Sequence, residues 1–194
     1  MRIIKTLVRG VCLIVVLPLF VMYQCARLAV GTRAAFQWCS QTLSKRPGSL
    51  GNYLREAFYV LTMERCSWDV CISFGTIFSD PRTRIGRGAY VGAYCCLGWV
   101  ELGDGVLLAS GVHVPSGAAQ HQFDDLSAPI KEQGGHLACV HIGADTWIGE
   151  RAVVMADVGQ GCVVGAGSVV TKPIENRSVA VGNPARVIRQ RESS

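Results

Sequence analysis

From Ile85 onward an aliphatic residue recurs every six positions. It stands at Ile85, Val91, Leu97, Leu102, Leu108 and Val114, and again at Ile142, Ile148, Val154, Val158, Val164 and Val170. One five-residue step precedes Leu102 and one four-residue step precedes Val158. Glycine follows most of these positions, as in Ile85-Gly86, Val91-Gly92, Ile142-Gly143 and Val164-Gly165. Four residues after the aliphatic comes a small or aliphatic side chain: Ala89, Val106, Val112, Thr146, Ala152, Cys162, Ser168. A period of six is not the 3.6 period of a helix. It fits a parallel β-helix, in which each hexad supplies a short strand and a corner, and three hexads close one coil. Twelve hexads make about four coils, and residues 71–84 begin another, so four to five are expected. The glycines are expected to supply the corner conformation. The period lapses between Pro115 and His141, which predicts a loop projecting from one coil. Long loops in compact domains are usually functional.

The N-terminal part is different. The chain of 194 residues is 49% hydrophobic and only 17% charged, with a mean hydropathy of +0.29. Such a balance excludes a charge-rich disordered chain. The excess lies in Gly10 to Ala26, seventeen residues without a charge, with Pro18 at their middle. A helix needs ~20 apolar residues to span a bilayer, and no small-x-small cleavage site follows the run. Arg2, Lys5 and Arg9 precede it; Arg27, Arg33, Lys45 and Arg46 follow. Residues 1–70 hold nine Lys and Arg against three Asp and Glu, whereas residues 71–194 hold ten against eleven. Basic plus apolar sequence fits an anionic membrane surface rather than nucleic acid. Residues 1–40 therefore read as a membrane-associated helix, either re-entrant with a break at Pro18 or lying in the interface.

Residues 41–70 read as an amphipathic helix and connector. In 52–63, Tyr53, Leu54, Phe58, Leu61 and Thr62 share one face, with Arg55 and Glu56 off it. The hexapeptide unit runs over 71–175 and a tail over 176–194. Nine cysteines without a CxxC pair read as reduced, buried thiols of a cytosolic domain.

The stretch from Ile142 to Arg189, with its elements WIG (147–149), GAGSVVTK (165–172) and AVGNPARVIR (180–189), resembles the hexapeptide-repeat acyltransferases. Galactoside, maltose and serine acetyltransferases belong to that group. The segment SGAAQHQFDDLSAPIKEQGGH (116–136) is most similar to the surface-polysaccharide O-acetyltransferases. The resemblance implies a mainly β fold, a left-handed β-helix, and a homotrimer with acetyl-CoA in clefts between subunits. It implies transfer of an acetyl group to a sugar hydroxyl, on a sugar or lipid-linked sugar acceptor, at the cytoplasmic face of the inner membrane.

Such a transfer needs a base, and histidine changes protonation near neutrality. The resemblance puts that role on His121, with His113 as the second candidate and His136 and His141 behind them. Asp124, Asp125 and Glu101 are candidates to orient it. A backbone N–H near the WIG corner is the expected oxyanion donor. For the coenzyme, the resemblance points to Trp147 at the subunit seam, Ala166 beside the pantetheine arm, and Thr171 and Lys172 after that coil. Arg186 and Arg189 would meet phosphate, which suits the guanidinium fork. No metal is implied. The alternatives are a small-molecule acetyltransferase of the serine or antibiotic type, and a zinc carbonic anhydrase using His136 and His141 with His113 or His121.

Overall fold

A computed structural model of the chain describes residues 2–192. The repeat folds into a parallel β-solenoid of about six turns. The first turn holds β1 (Arg65–Cys66), β2 (Cys71–Ile72) and β3 (Ile77–Phe78). The second holds β4 (Arg84–Ile85), β5 (Tyr90–Val91) and β6 (Cys96–Leu97), and the third β7 (Val100–Leu102), β8 (Leu107–Leu108) and β9 (His113–Val114). After the loop come β10 (Val140–Ile142), β11 (Trp147–Ile148) and β12 (Val153–Val154), then β13 (Val163–Val164) and β14 (Val169–Val170). β15 (Ser178–Gly182) opens the last turn, and β16 (Ala185–Gln190) runs back antiparallel beside it.

Every third strand stacks. The first face is β1-β4-β7-β10, continued by single bridges Ile142–Val158 and Val158–Ile174. The second is β2-β5-β8-β11-β13-β15-β16 and the third β3-β6-β9-β12-β14. The aliphatics of the repeat point inward and are buried throughout, from Ile72 and Phe78 to Val170 and Ile174. The count exceeds the expected four to five because the end turns lack the Ile-Gly signature. Ile72 and Phe78 fill the first turn, and Ile174 and Ala180 the last. Two buried threonines stitch adjacent turns: Thr76 Oγ1 donates to Gly92 O and accepts from Cys95 N, and Thr146 does the same with Gly159 O and Cys162 N.

The glycines that follow the aliphatics do a different job from the expected one. They do not adopt positive φ. A Cβ on Gly86, Gly103, Gly143 or Gly149 would lie 2.5–2.6 Å from a backbone nitrogen of the next turn. Their role is close approach, not corner freedom. Left-handed φ falls instead in two vertical columns at the corners: Gly88, Gly105, Asp145, Gly161 and Arg177 in one, Gly75, Tyr94, Gly111, Arg151 and Gly167 in the other.

Three helices cover the start of the solenoid. α1 (Arg2–Val30) runs unbroken through Pro18, so the expected turn at that proline is not formed. The helix is docked on both sides of the proline: Cys12 and Val16 before it and Tyr23 after it are buried. α2 (Thr32–Ser44) packs on β3 through a stripe of Ala35, Phe36, Cys39, Ser40 and Leu43. α3 (Gly48–Thr62) packs on β1 and β2. Tyr23, Phe36, Phe58, Tyr59 and Phe78 form a chain of ring contacts, centroids 4.9–6.4 Å apart, from α1 to the solenoid interior.

Arg55 and Glu56, expected off the packed face, are buried. Arg55 donates to Ile72 O, Leu43 O, Arg46 O and Asn52 Oδ1, so it caps the carbonyl end of α2 and ties α3 to the first turn. Glu56 lies 2.8 Å from Arg9 Nη2 of α1. All nine cysteines are free, but only Cys12, Cys39, Cys95 and Cys162 are buried as expected; Cys66, Cys71, Cys96 and Cys139 are half-buried and Cys25 is exposed.

Candidate active site

The loop 115–139 leaves the corner between the third and first faces. Its two limbs pair: Ala138 N donates to Ser116 O, His136 N to Ala119 O, and Gln122 N to Gly134 O. The pairing is close enough that any Cβ on Gly135 would collide with the Gln120 carbonyl. His121 sits in this paired stem, with its ring exposed. No side chain among the described residues hydrogen-bonds that ring. Of the expected orienting groups, Asp125 is held by Ser127, and Glu101 is paired with Arg84 and His141 on the first face.

Gln120 borders a cleft of about 440 Å³ between α2 and the third face. Cys96, His113 and Val153 stand in register on its floor, and Arg33 and Gln37 of α2 form the opposite wall. Ser116 accepts from Trp99 N and so fixes the start of the loop. Arg33 Nε lies 3.3 Å from Asp80 Oδ2, which also takes Arg82 Nη2 at 2.7 Å, and the Arg82 guanidinium sits 3.7 Å over the Trp99 ring. Burial alone would raise the Asp80 carboxyl. The hydrogen bonds and charge of Arg82, with Arg33, outweigh it and hold the group below the usual carboxylate range. Burial pushes the Cys96 thiol up, so the cysteine facing the cleft is a poor thiolate nucleophile.

His136 lies on the other limb of the same stem, whereas His113 and His141 are apart from it. His141, on β10, lies between Glu101 Oε2 at 3.7 Å and Asp157 Oδ1 at 3.3 Å on the first face, whereas His113 is on the third. Among the described residues no group of three His, Cys, Asp or Glu side chains is arranged to hold a metal ion.

The coenzyme candidates fall into two sets. Trp147 stands outward on the second face, in register with Leu107 below and Val163 above. The row continues to Val179 and Arg189, about 14 Å from Trp147 at three strand spacings. Arg186 pairs with Val181 on the same two-stranded end, and exposed Ala166 sits at the adjoining corner, stacked on Gly149. Thr171 and Lys172 lie at the corner from which the His121 loop emerges, two turns further on. One edge thus carries Trp147, Ala166, Arg186 and Arg189, and another carries His121, Thr171 and Lys172. At the WIG corner the N–H groups of Trp147 and Gly149 are spent on Cys162 O and Val164 O, which leaves that of Glu150 as the free donor there.

Arg33 and Gln37 were not legible as site residues. Their signal was slight: two polar residues four apart, at the edge of the buried stripe of a short helix, with nothing in the sequence to say what they face.

Fold and repeat define a hexapeptide-repeat protein. The family profile described as hexapeptide repeat of succinyl-transferase matches residues 82–115 and 139–172, on either side of the loop. A probable acetyltransferase of Mycobacterium tuberculosis is 36% identical over 122 residues, 62% of this chain and 39% of the relative. The chain thus spans about two fifths of that relative's length. Among solved structures, a maltose O-acetyltransferase from Clostridium difficile superimposes with a TM-score of 0.71 at 24% identity, covering 82% of this chain and 88% of that one. A mutant N-acyltransferase from Bacillus cereus, in complex with dTDP and coenzyme A, gives 0.56 at 24% identity, covering 64% and 71%. The chain thus carries the hexapeptide repeat of that profile, on a fold shared with these solved acyltransferases.

Proposed function

We propose that this chain transfers an acetyl group from acetyl-CoA to a sugar hydroxyl in the synthesis of surface polysaccharide or a lipid-linked glycan. The observation that carries the reading is the paired loop stem that sets His121 next to Gln120, a residue at the rim of the cleft beside α2. The His121 imidazole takes the proton of the acceptor hydroxyl while its oxygen attacks the thioester carbonyl. The tetrahedral oxyanion is met by a backbone N–H, that of Glu150 being free. The C–S bond then breaks, and the imidazolium returns its proton to the coenzyme thiolate. The names of the Clostridium and Bacillus proteins, an O-acetyltransferase and a coenzyme A complex, support the donor and the reaction class.

The division of the coenzyme candidates between two edges supports a homotrimer in which one donor molecule touches Trp147, Ala166, Arg186 and Arg189 of one copy and His121, Thr171 and Lys172 of the next. Acetyl-CoA is a cytosolic donor, so we place the enzyme at the cytoplasmic face of the inner membrane.

The test is acetyl-CoA turnover against nucleotide sugars and lipid-linked sugars, comparing His121→Ala with His113→Ala. His121→Ala should lose ~10²–10⁴-fold in turnover while it still assembles and binds acetyl-CoA. His113→Ala should retain most activity. Near-wild-type turnover in His121→Ala moves the base to His113, and turnover only on non-sugar acceptors removes the sugar reading.

A further inference from the structure

One long side of α1 has no partner among the described residues. Leu7, Ile14, Val21 and Leu28, seven residues apart, are 64%, 69%, 58% and 85% exposed. Ile4, Val11, Val15 and Met22 flank them on the same side, also exposed. The opposite side is docked along the helix, from half-buried Val8 through Cys12, Val16 and Tyr23 to Ala26. At 100° per residue, Lys5, Arg9 and Arg27 fall on that docked side with Cys12, Val16 and Tyr23. Arg9 is held there by Glu56. The helix is therefore divided lengthwise, with an uncharged apolar row outward and its cations off that row, Lys5 and Arg27 exposed to solvent.

This division decides how α1 meets a bilayer. By length and composition Ile4–Val30 is able to cross one. A crossing helix, however, has to be free of docked soluble protein through ~30 Å of hydrocarbon, and the docked contacts of α1 extend over about 27 Å of its length. Crossing would strip Cys12, Val16 and Tyr23 from α2 and α3. A second copy of the chain is a poorer occupant of the face. Residues 1–62 carry eight Lys and Arg but only one acidic residue, Glu56, and that one is buried. Two such layers brought together repel, whereas anionic headgroups attract them.

We propose that α1 lies flat on an anionic bilayer, with its outward row sunk to the acyl boundary and the exposed cations Lys5, Arg27 and Lys45 reaching up to the lipid phosphates. Arg33 follows the last residue of α1 by three positions and lines the cleft beside Gln120, so a bilayer under α1 would lie near the cleft. An acceptor carried on a lipid then reaches it without leaving the membrane. The proposal deepens the membrane placement above and does not depend on acetyl transfer.

The experiment uses the full chain and vesicles of phosphatidylcholine with or without phosphatidylglycerol. Binding should need phosphatidylglycerol and weaken with salt. The double variant Val11→Glu, Ile14→Glu should bind more than about tenfold more weakly, yet melt and bind acetyl-CoA like the wild type, since both side chains are exposed. Genetically encoded spin labels at positions 7, 14, 21 and 28 then read depth. Equal, shallow immersion of all four is expected. Depths graded over about 30 Å would establish a crossing helix and overturn the proposal. Failure to bind vesicles, or labels already immobile without lipid because another copy covers them, would overturn it as well. Turnover on a water-soluble acceptor separates all of these outcomes from a failure of the acetyltransferase reading.

Discussion

Replacing Gly143 with alanine should strain the solenoid through contact, and replacing Gly88 should strain it through conformation. A Cβ at Gly143 would stand 2.5 Å from Gln160 N and 2.7 Å from Gln160 Cα, both backbone atoms of the next turn. The same two turns are joined by Gly143 N donating to Val158 O at 2.8 Å. To reach ordinary contact the turns must part by about 1 Å, at a hydrogen bond that has no slack. Overpacking of this kind costs ~1–3 kcal/mol. Gly88 is the opposite case: φ is +66° and nothing lies within 4 Å of its Cβ position. Alanine there costs ~1–2 kcal/mol for the left-handed backbone, and asparagine, which tolerates that region, recovers much of it. Thermal melts at fixed protein concentration read both, at ~2–4 °C per kcal/mol for a chain of this size. Gly143→Ala should melt ~2–12 °C low with Gly143→Asn no better, while Gly88→Asn should melt above Gly88→Ala. A Gly143→Ala protein that melts with the wild type, or asparagine rescue at 143, would refute the division of the glycines into two kinds.

Arg189→Ala should weaken acetyl-CoA more than a dephospho-CoA donor, because a lost phosphate contact has no effect where that phosphate is missing; equal losses in a binding assay would take Arg189 off the phosphate. Asp80→Asn should destabilise the fold by about 1–3 kcal/mol, since Arg33 and Arg82 lose their shared partner. The Asp80 carboxyl is held below its ordinary value, so its contribution is present above ~pH 4 and fades as pH falls through the lowered value. Denaturation of the two proteins should show the gap at neutral pH and its narrowing in acid; a gap independent of pH would contradict the ion-pair account.

The solenoid was legible because its constraint repeats: one inward aliphatic every six residues is a geometric demand, and Ile85 through Val170 meet it turn after turn. The function of the glycines was not, since the sequence shows Gly86 or Gly143 but not the backbone lying against it. Pro18 misled for a related reason. A proline removes one helical bond, and whether the helix survives depends on what grips it on either side, here α2 and α3. Arg55 and Glu56 read as outward because charge normally seeks water. Their burial depends on the carbonyl end of α2 and on Arg9 arriving at the same place, and neither is local information. His121 was placed by motif and context. The cleft beside it was hidden, because its far wall comes from a helix some eighty residues away in the chain.

The antiparallel return of β16 has a consequence for how this chain behaves among its own copies. A solenoid that simply stopped would present a bare row of peptide donors and acceptors, a template onto which another chain can add without limit. At one end of this molecule α2 and α3 lie over the first turn, so nothing can stack there. At the other, β16 fills the last place in the second face and turns outward an edge that carries Arg186 and Arg189. Lateral addition of a further strand would have to bring like charges into register. The parts of the chain that do not repeat thus close one end of the solenoid and one face of the other, and the edge left outward there is a charged one.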